Sequence, residues 1–367
     1  MITRKKTGKI PFRQILAWPV VFLFLILPGK ELPAQFFDGA DVQRYDTNYI
    51  SIYKDELTTR VFLSHKQNSY ILSEKLFSPW LQYRTSGQYQ IGIGYTYSFL
   101  TLNLAIELPF VYEDRQKYGD SRYLNLDVRT DFRNMMVDLY LQWTRGYYLS
   151  NYKDFPELAG AYTGFPVRND IRTSIVGINI QHLFNSERYS HKASFLQNEF
   201  QKRSAGSPVL GFEAYWMLGM ADSILIPLPL DRSDFAGGAE FNQADLLSVG
   251  LNGGYAHTFV IKERVYLSLS STWGIAAGTC ILNNTATSEL NRPGLSLGVT
   301  NHNQVSMGFN RKSFYTGISL TNFNINQNYS FKNGWFKYST INIRLSVVKR
   351  FKLHRPIRIL RPDLWIF

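Results

Sequence analysis

The feature that most constrains the fold is a pair of long alternating segments between Tyr123 and Trp143. Apolar and polar residues alternate along the first segment, the chain turns at Arg133-Asn134, and the alternation resumes along the second. A period of two is typical of a strand with one apolar face. Each segment has about 10 residues, the length that a tilted strand needs to cross a bilayer. The pattern therefore predicts a long antiparallel hairpin.

The same alternation recurs along the chain. It predicts hairpins from Leu251 to Trp273 and from Val305 to Leu320, and a closing strand from Tyr338 to Phe351. Weaker strands are predicted at 59–74, 88–97, 100–108, 171–182, 189–199, 207–218 and 223–229. The total is 14 strands, and one of them, 223–229, contains Pro227, which cannot donate a hydrogen bond to a strand ladder. A barrel with both termini in the periplasm has an even number of strands, so losing this strand and one other leaves 12.

The connections between these strands come in two sizes. Short turns are predicted near 98, 133, 185, 261 and 311, and long loops at 75–87, 109–120, 146–169, 230–244, 276–302 and 321–337. Outer-membrane barrels have short periplasmic turns and longer external loops. Aromatic residues near strand ends suit the interfacial girdles of such a barrel; they are Tyr95, Tyr97, Phe99, Trp143, Tyr147, Tyr148, Tyr255, Phe259, Tyr266, Phe314, Tyr315, Trp335, Phe336 and Tyr338. The predicted fold class is all-β, an antiparallel transmembrane β-barrel of 12–14 strands with an N-terminal signal peptide.

Composition agrees with a barrel and excludes two other classes. Charged residues make up 19% and aromatic residues 15% of the chain, and the mean hydropathy is −0.19. This abundance of aromatic residues excludes a disordered chain. No apolar run reaches the roughly 18 residues of a membrane-spanning helix, which excludes a helical bundle in the membrane. A soluble β-sandwich gives the same alternation and is the alternative fold.

Residues 1–34 are predicted to be a secretory signal peptide. Basic residues precede the apolar stretch from Ile15 to Leu27, and Leu32-Pro33-Ala34 ends in a small residue at a plausible cleavage point. The alternative is a retained N-terminal anchor. Three further parts are expected after it: an N-terminal periplasmic segment at 35–57, the barrel domain at 58–351 and a basic C-terminal tail at 352–367.

Cysteine usage and charge limit the partners. Cys280 is the single cysteine, so an intramolecular disulfide is impossible. The formal net charge is +12, but the basic residues after the signal peptide are dispersed except near the C-terminus, which argues against nucleic acid as a partner. We expect outer-membrane lipid and the barrel-assembly machinery to be the partners, and the cell outer membrane of a diderm bacterium to be the location.

One catalytic pattern matches literally. Gly294-Leu295-Ser296-Leu297-Gly298 is a G-x-S-x-G motif, which in a hydrolase places the serine on a sharp turn between a strand and a helix. Here the apolar residues continue an alternating extended run, so we interpret Ser296 as a strand residue. The six histidines have no spacing typical of metal ligands. The sequence predicts no catalytic residue, no metal site and no cofactor.

Charged residues on the polar face of the strong strands are the candidate functional residues. They are Asp127, Arg129, Asp131, Asp138 and Arg344. In a barrel these side chains face the lumen, where they line a conduction path or bind a solute. The alternative is a network of buried ion pairs that fills a closed barrel.

Three short motifs resemble a known family. They are Tyr45-Asp46-Thr47-Asn48-Tyr49-Ile50, Gly146-Tyr147-Tyr148-Leu149 and Gln201-Lys202-Arg203-Ser204-Ala205-Gly206-Ser207. The chain resembles domain-of-unknown-function family four-four-two-one, a group of exported proteins from Bacteroidetes-type bacteria, over roughly residues 44 to 351. The resemblance implies an outer-membrane barrel and supplies no substrate, activity or catalytic residue.

The sequence supports one leading function and two alternatives. The leading hypothesis is a non-enzymatic outer-membrane barrel that serves as a narrow pore, a transport component or a structural element. The first alternative is an outer-membrane hydrolase of lipids or acyl chains. The second is a soluble exported β-sandwich that binds carbohydrate.

Overall fold

The computed structural model describes residues 45–53, 56–73, 80–97, 100–112, 115–131, 133–230, 240–284, 289–290, 294–311, 313–329 and 334–354. The predicted signal peptide and most of the predicted tail lie outside these residues. The strands are β1 (Ile50–Ile52), β2 (Glu56–Ser73), β3 (Trp80–Arg84), β4 (Gln88–Tyr97), β5 (Leu100–Tyr112), β6 (Arg122–Asp131), β7 (Met135–Leu149), β8 (Val167–Leu183), β9 (Glu199–Gln201), β10 (Ala205–Met220), β11 (Gln243–Ile261), β12 (Val265–Asn284), β13 (Glu289–Leu290), β14 (Ser296–Asn310), β15 (Phe314–Asn328) and β16 (Trp335–Lys352). The helices are α1 (Arg115–Tyr118), α2 (Pro156–Ala161) and α3 (His191–Phe195), with a 3₁₀ turn at Tyr152–Asp154. Within the described ranges, no helix has the length and apolar character needed to span a membrane.

Twelve of the described strands form a closed antiparallel ring. Their order is β2, β4, β5, β6, β7, β8, β10, β11, β12, β14, β15 and β16, and β16 pairs back onto β2. The closing pair runs from Glu56 opposite Lys352 to Ser73 opposite Trp335. The predicted barrel and its predicted closing strand are confirmed, and the strand number is the lower of the two expected values.

The period of two sorts the side chains between the two faces of the wall. On β2, Val61 and Leu63 are exposed on the outside, whereas Arg60, Phe62 and Ser64 are buried on the inside. The hairpin β6–β7 follows the same rule. A closed ring satisfies its backbone groups within the wall, and an apolar outer face suits contact with hydrocarbon.

Two predicted strands, 189–199 and 223–229, are wrong. The first contains α3 and only the first residue of the short strand β9, which pairs with β1 and is not one of the ring strands. The second is irregular chain, and its Leu225 and Ile226 are buried. Both segments contain apolar residues because they pack inside the barrel. They do not pair in its wall.

About half of the predicted girdle is also wrong. Tyr95, Tyr255, Phe259 and Phe314 are exposed, as a girdle requires. A second set is buried instead: Tyr97, Tyr147, Tyr148, Tyr266, Tyr315, Phe336 and Tyr338. These residues occupy the inward-facing positions of their strands, so their rings fill space inside the barrel. Tyrosine hydroxyls there have hydrogen-bond partners, as in the 2.9 Å contact between the Tyr266 and Tyr315 oxygens.

One seam of the ring is much shorter than the others. β5 pairs with β6 only through Leu100 with Thr130 and Thr101 with Arg129, whereas every residue of β6 pairs with β7. Beside this seam, β3 pairs with both β2 and β7. The β5–β6 junction is therefore the part of the wall with the shortest backbone ladder.

Candidate functional site

The two ends of the barrel differ, and a segment of the chain enters at one of them. The short-turn end carries the tight connections β4–β5, β6–β7, β11–β12 and β14–β15, and the long-loop end lies opposite. Residues 190–201, between β8 and β10, turn inward from the short-turn end, and we name them the inserted segment. The Ser190 hydroxyl accepts a hydrogen bond of 3.1 Å from the Ala193 N–H. This N-terminal cap starts α3, which explains why the segment is not a strand.

The wall holds the inserted segment through its backbone carbonyls. The Ser194 carbonyl accepts hydrogen bonds of 3.0 Å from the Tyr266 hydroxyl and from the Ser306 hydroxyl. The Leu196 carbonyl accepts one of 2.5 Å from Arg60 Nη2. These carbonyls belong to the C-terminal part of α3 and the turn after it, where backbone oxygens lack helical partners.

Further contacts spread the attachment around the ring. The Gln197 carbonyl accepts hydrogen bonds of 2.9 and 2.6 Å from Nε and Nη2 of Arg350. The Ser194 and Thr258 hydroxyl oxygens lie 3.0 Å apart. The inserted segment thereby contacts side chains of β2, β6, β11, β12, β14 and β16, so it crosses the lumen and closes this end.

Three of the predicted luminal charges lie beside the inserted segment or just behind it. Arg129 and Asp138 are cross-strand partners on β6 and β7 and form an ion pair. Asp131 Oδ2 lies 3.3 Å from His191 Nδ1 of the inserted segment, and both side chains are buried. His191 Nε2 lies 3.2 Å from Gln304 Oε1 on the opposite part of the wall.

The other two predicted charges are placed differently. Arg344 lies on β16, and its guanidinium carbon is 4.3 Å from the centre of the Phe62 ring. Asp127 lies on β6 opposite Tyr140, but its side chain is outside what the structure describes. The predicted set is therefore not one cluster.

Sequence reasoning missed a buried ion pair that anchors the inserted segment. Arg133 Nη1 donates a hydrogen bond of 2.7 Å to Glu199 Oε2, and Arg133 also binds the Ser186 carbonyl through Nε and Nη2 at 2.8 and 2.6 Å. The Ser190 hydroxyl donates a hydrogen bond of 2.5 Å to the same Glu199 oxygen. A signal was present, because Arg133 sits in the tight turn of the strongest predicted hairpin.

The N-terminal residues 45–53 cover the inserted segment. Strand β1 pairs with β9, and three tyrosines spaced by four residues lie against arginines. The ring of Tyr45 is 5.5 Å from Arg133, that of Tyr49 is 5.3 Å from Arg188 and 5.9 Å from Arg203, and that of Tyr53 is 4.4 Å from Arg350. Such cation–π contacts each contribute about 0.5–2 kcal/mol, according to their exposure.

The long-loop end is closed by a different kind of packing. Leu225 and Ile226 enter the barrel mouth and join a buried cluster that includes Leu72, Leu149 and Met217. The Leu225 carbonyl accepts a hydrogen bond of 2.5 Å from the Tyr83 hydroxyl. This end is therefore an apolar core of ordinary protein type, whereas the short-turn end is closed by polar contacts.

An ion pair holds the loop above that core, beyond the apolar belt of β8. Arg168 donates hydrogen bonds of 2.9 Å to both oxygens of Asp170, and another of 3.0 Å to the Ile224 carbonyl. Burial alone would raise the pKa of Asp170, but the hydrogen bonds and positive charge of Arg168 outweigh it and lower the pKa to about 2.

The middle of the lumen is polar. Glu213 is buried, and its carboxylate accepts hydrogen bonds from the Thr300 hydroxyl and, at 2.7 Å, from Asn252 Nδ2. Asn252 in turn contacts Asn179 and Gln181, each at 2.9 Å. Side chains from β8, β10, β11 and β14 thus form one hydrogen-bonded layer between the two closures.

No catalytic arrangement is visible among the described side chains. Ser296 begins β14, and its hydroxyl donates to the Asn328 carbonyl, so the G-x-S-x-G motif is strand, as interpreted from the sequence. The Asp131–His191 pair faces the Gln304 amide at Nε2, where a hydrolase would need a hydroxyl or thiol nucleophile. In the same ranges, no group of three His, Cys, Asp or Glu side chains could hold a metal ion.

A closed antiparallel ring with an apolar outer face and a polar lumen defines the class of the protein. It is a transmembrane β-barrel of the outer-membrane type, located in the outer membrane. Within that class, the chain belongs to the family described as "Domain of unknown function (DUF4421)", which matches residues 44–351.

The structure gives a place to the three motifs that carried the resemblance. Two of them meet at the short-turn end, where the Lys202 N–H donates a hydrogen bond of 2.7 Å to the Tyr49 carbonyl and Lys202 Nζ donates one of 2.8 Å to the Thr47 carbonyl. The third motif lies at the long-loop end, where Gly146 has a φ of +86°.

Comparison with solved structures gives distant likenesses to other barrels. The outer-membrane protease OmpT of Escherichia coli aligns with 82% of this chain and 98% of its own, at 8% identity and a TM-score of 0.34. The toluene transporter TodX of P. putida aligns with 82% and 91%, at 10% identity and a TM-score of 0.27. A FadL homologue of Pseudomonas aeruginosa aligns with 82% and 91%, at 9% identity and a TM-score of 0.25. No curated protein sequence matches the chain. Likenesses this distant decide no activity.

Proposed function

We propose that this protein is a non-enzymatic transport component of the outer membrane whose barrel is closed at rest and opens when the inserted segment leaves the lumen. The observation that carries the proposal is the way the segment is held. Its carbonyls accept hydrogen bonds from Tyr266, Ser306 and Arg60, which are polar side chains of the wall. Water or a polar solute could take over these hydrogen bonds once the segment moved.

The contrast between the two closures supports this proposal. Apolar packing, as around Leu225 at the long-loop end, seals that end with the hydrophobic effect, so a polar solute passes only when this packing also parts. The wall behind the inserted segment is polar instead, and it continues into the hydrogen-bonded layer around Glu213. Polar side chains therefore line the wall from the short-turn end to the middle of the lumen.

A structural role is the second candidate, and the same apolar core favours it. If the packing around Leu225 never opens, the barrel is permanently closed and the inserted segment serves only to pack its interior. In either case the expected partners remain outer-membrane lipid and the barrel-assembly machinery.

A reversible tether tests the proposal. The Ser194 and Thr258 oxygens lie 3.0 Å apart, so the pair Ser194→Cys and Thr258→Cys is placed to form a disulfide between the inserted segment and the wall. In planar bilayers we expect wild type to show intermittent conductance, the oxidised double variant to show none, and reduction to restore it. Each single-cysteine variant is the control.

A second variant keeps the proposal testable if the wild-type protein shows no conductance. Deleting Lys192 to Gln197 removes the part of the segment that reaches across the lumen. If wild type is silent and this deletion variant, shown to be folded by heat-modifiable mobility, is also silent, the long-loop end is a permanent seal and the structural role is correct.

A further inference from the structure

Two arginines of neighbouring strands bind consecutive carbonyls of the inserted segment. Arg60 on β2 binds the Leu196 carbonyl at 2.5 Å, and Arg350 on β16 binds the Gln197 carbonyl at 2.9 and 2.6 Å. In the β2–β16 ladder, Arg60 lies opposite Val348. Arg350 is therefore two residues away from the ladder partner of Arg60. The two guanidinium groups bind neighbouring carbonyls in the turn that follows α3.

The acceptors around Arg60 are neutral oxygen atoms. Besides the Leu196 carbonyl, Arg60 donates hydrogen bonds of 2.9 Å to Asn103 Oδ1 and 3.4 Å to Thr96 Oγ1, and all three acceptors are neutral. The side chain is only 3% exposed, and its Nε is buried without a hydrogen-bond partner. A buried cation with an unused donor favours an additional acceptor.

Further positive charge lies in the same sector of the wall. Arg344 stands on β16, as Arg350 does, and its guanidinium lies over the ring of Phe62, the next inward residue after Arg60 on β2. At Gly94 on β4, a Cβ atom would lie 2.4 Å from Asn103 Oδ1 and 3.4 Å from Arg60 Nη1. The missing side chain leaves the space in which Arg60 reaches across β4 to Asn103.

The chemistry of these groups ranks their possible acceptors. Guanidinium groups present several N–H donors in a planar fork that matches carboxylate and phosphate oxygens. Hydrogen bonds between two charged groups are roughly twice as strong as neutral ones. The carbonyls of Leu196 and Gln197 are therefore weaker acceptors for this pair of arginines than an oxyanion.

We propose that Arg60 and Arg350 form a binding site for an oxyanion, the carboxylate or phosphate group of a solute, and that the oxyanion displaces the carbonyls of Leu196 and Gln197 to release the inserted segment. This inference rests on the proposed function, because it names the class of solute that opens the barrel. In this proposal the two arginines recognise the solute, in addition to holding the inserted segment in place.

Labelling of a buried cysteine tests the displacement independently of conductance. Ala193 in α3 is 2% exposed, and Ala193→Cys is the probe; the native Cys280, also buried, is replaced by serine. A water-soluble maleimide is applied to the full-length protein in chloride, acetate or inorganic phosphate at equal ionic strength. We expect phosphate, acetate or both to raise the labelling rate about fivefold or more over chloride.

Arginine variants separate recognition from clamping. In Arg60→Gln we expect a higher labelling rate in chloride, because the hydrogen bond from Arg60 to the Leu196 carbonyl is lost. We expect no further increase of that rate in phosphate or acetate. Arg60→Lys keeps the charge and should respond partially, so the test remains usable if the glutamine variant does not fold. Arg311→Gln, at an exposed position of the β14–β15 turn, is the matched control and should respond as wild type does.

The possible outcomes are distinct. A response to phosphate alone assigns a phosphate-bearing solute, and a response to acetate as well assigns carboxylates too. Equal labelling in all three salts, or a full response in both Arg60 variants, overturns the oxyanion site. Failure of the proposed function gives a different result: the deletion variant shows no conductance in planar bilayers.

Discussion

Arg133 donates a hydrogen bond of 2.7 Å to Glu199, with the two side chains 6% and 4% exposed, and this contact joins the β6–β7 turn to the far end of the inserted segment. Breaking such a buried pair from one side leaves an uncompensated charge, which typically costs 3–5 kcal/mol. Removing the arginine should therefore loosen the short-turn end more than any surface change.

The first prediction concerns this pair. Arg133→Ala should lower the free energy of unfolding by about 3 kcal/mol and increase proteolysis within residues 190–201. Arg122→Ala is the control, because Arg122 belongs to an exposed pair with Asp120 at 3.3 Å and should change stability by less than about 1 kcal/mol. Urea unfolding in detergent micelles measures both. Equal effects of the two substitutions would show that the buried pair does not anchor the segment.

The second prediction concerns acid stability. The pKa of Asp170 is lowered from 3.8 to about 2 in the folded protein, so its pair with Arg168 stabilises the fold above the ordinary pKa. That contribution, about 2 kcal/mol at most, is lost as the pH falls from about 4 to 2. Asp170→Asn should be less stable than wild type at pH 6 and should lose less stability on acidification. Thermal unfolding across pH 2 to 6 gives both curves, and parallel curves would contradict the prediction.

The third prediction concerns Gly146, whose φ is +86°. A Cβ there would lie 2.2 Å from the Asp120 carbonyl oxygen, a backbone atom that cannot move alone. Gly146→Ala should therefore destabilise the barrel by about 1–3 kcal/mol, because strain and steric overlap act together. Gly164→Ala is the matched control, since no atom lies within 4 Å of the added carbon. The temperature of the heat-modifiable mobility shift should fall for the first variant and stay unchanged for the second.

The fourth prediction tests contact with lipid along β11. Leu251 and Ile261 lie on the same outer face, 62% and 54% exposed, but Ile261 is the last residue before the β11–β12 turn. Leu251→Arg should cost about 2–4 kcal/mol in bilayers, whereas Ile261→Arg should cost about 0–1 kcal/mol. Folding equilibria in lipid vesicles compare them. A similar cost at both positions would mean that the apolar belt is placed wrongly along the strand.

The wall could be predicted from the sequence because its signals are local. Alternation places Leu126 outward and Asn125 inward without knowledge of any partner, and the turns at Arg133-Asn134 and Lys262-Glu263 lie where the pattern changes phase. The closing strand was also identified, since Pro356 and Pro362 follow its last alternating residues.

The closures could not be predicted because their contacts are distant in the sequence. Arg60 and the carbonyl that it binds on Leu196 are 136 positions apart. Apolar residues such as Leu225 give the same sequence signal whether they pair in a wall or fill its mouth. The Ser190 cap of α3 is a local feature that distinguishes residues 189–199 from a strand.

The short seam between β5 and β6 has a mechanical consequence. A β-barrel opens most readily where its strands share the fewest backbone hydrogen bonds. Only Leu100 with Thr130 and Thr101 with Arg129 pair across the β5–β6 junction. Amide protons along β5 and β6 that face the seam should thus exchange with deuterium sooner than those of the β2–β16 ladder, which is paired along all of β2. Although β2 and β16 bring together the two ends of the barrel sequence, the ring is weakest between two strands that follow one another in the chain.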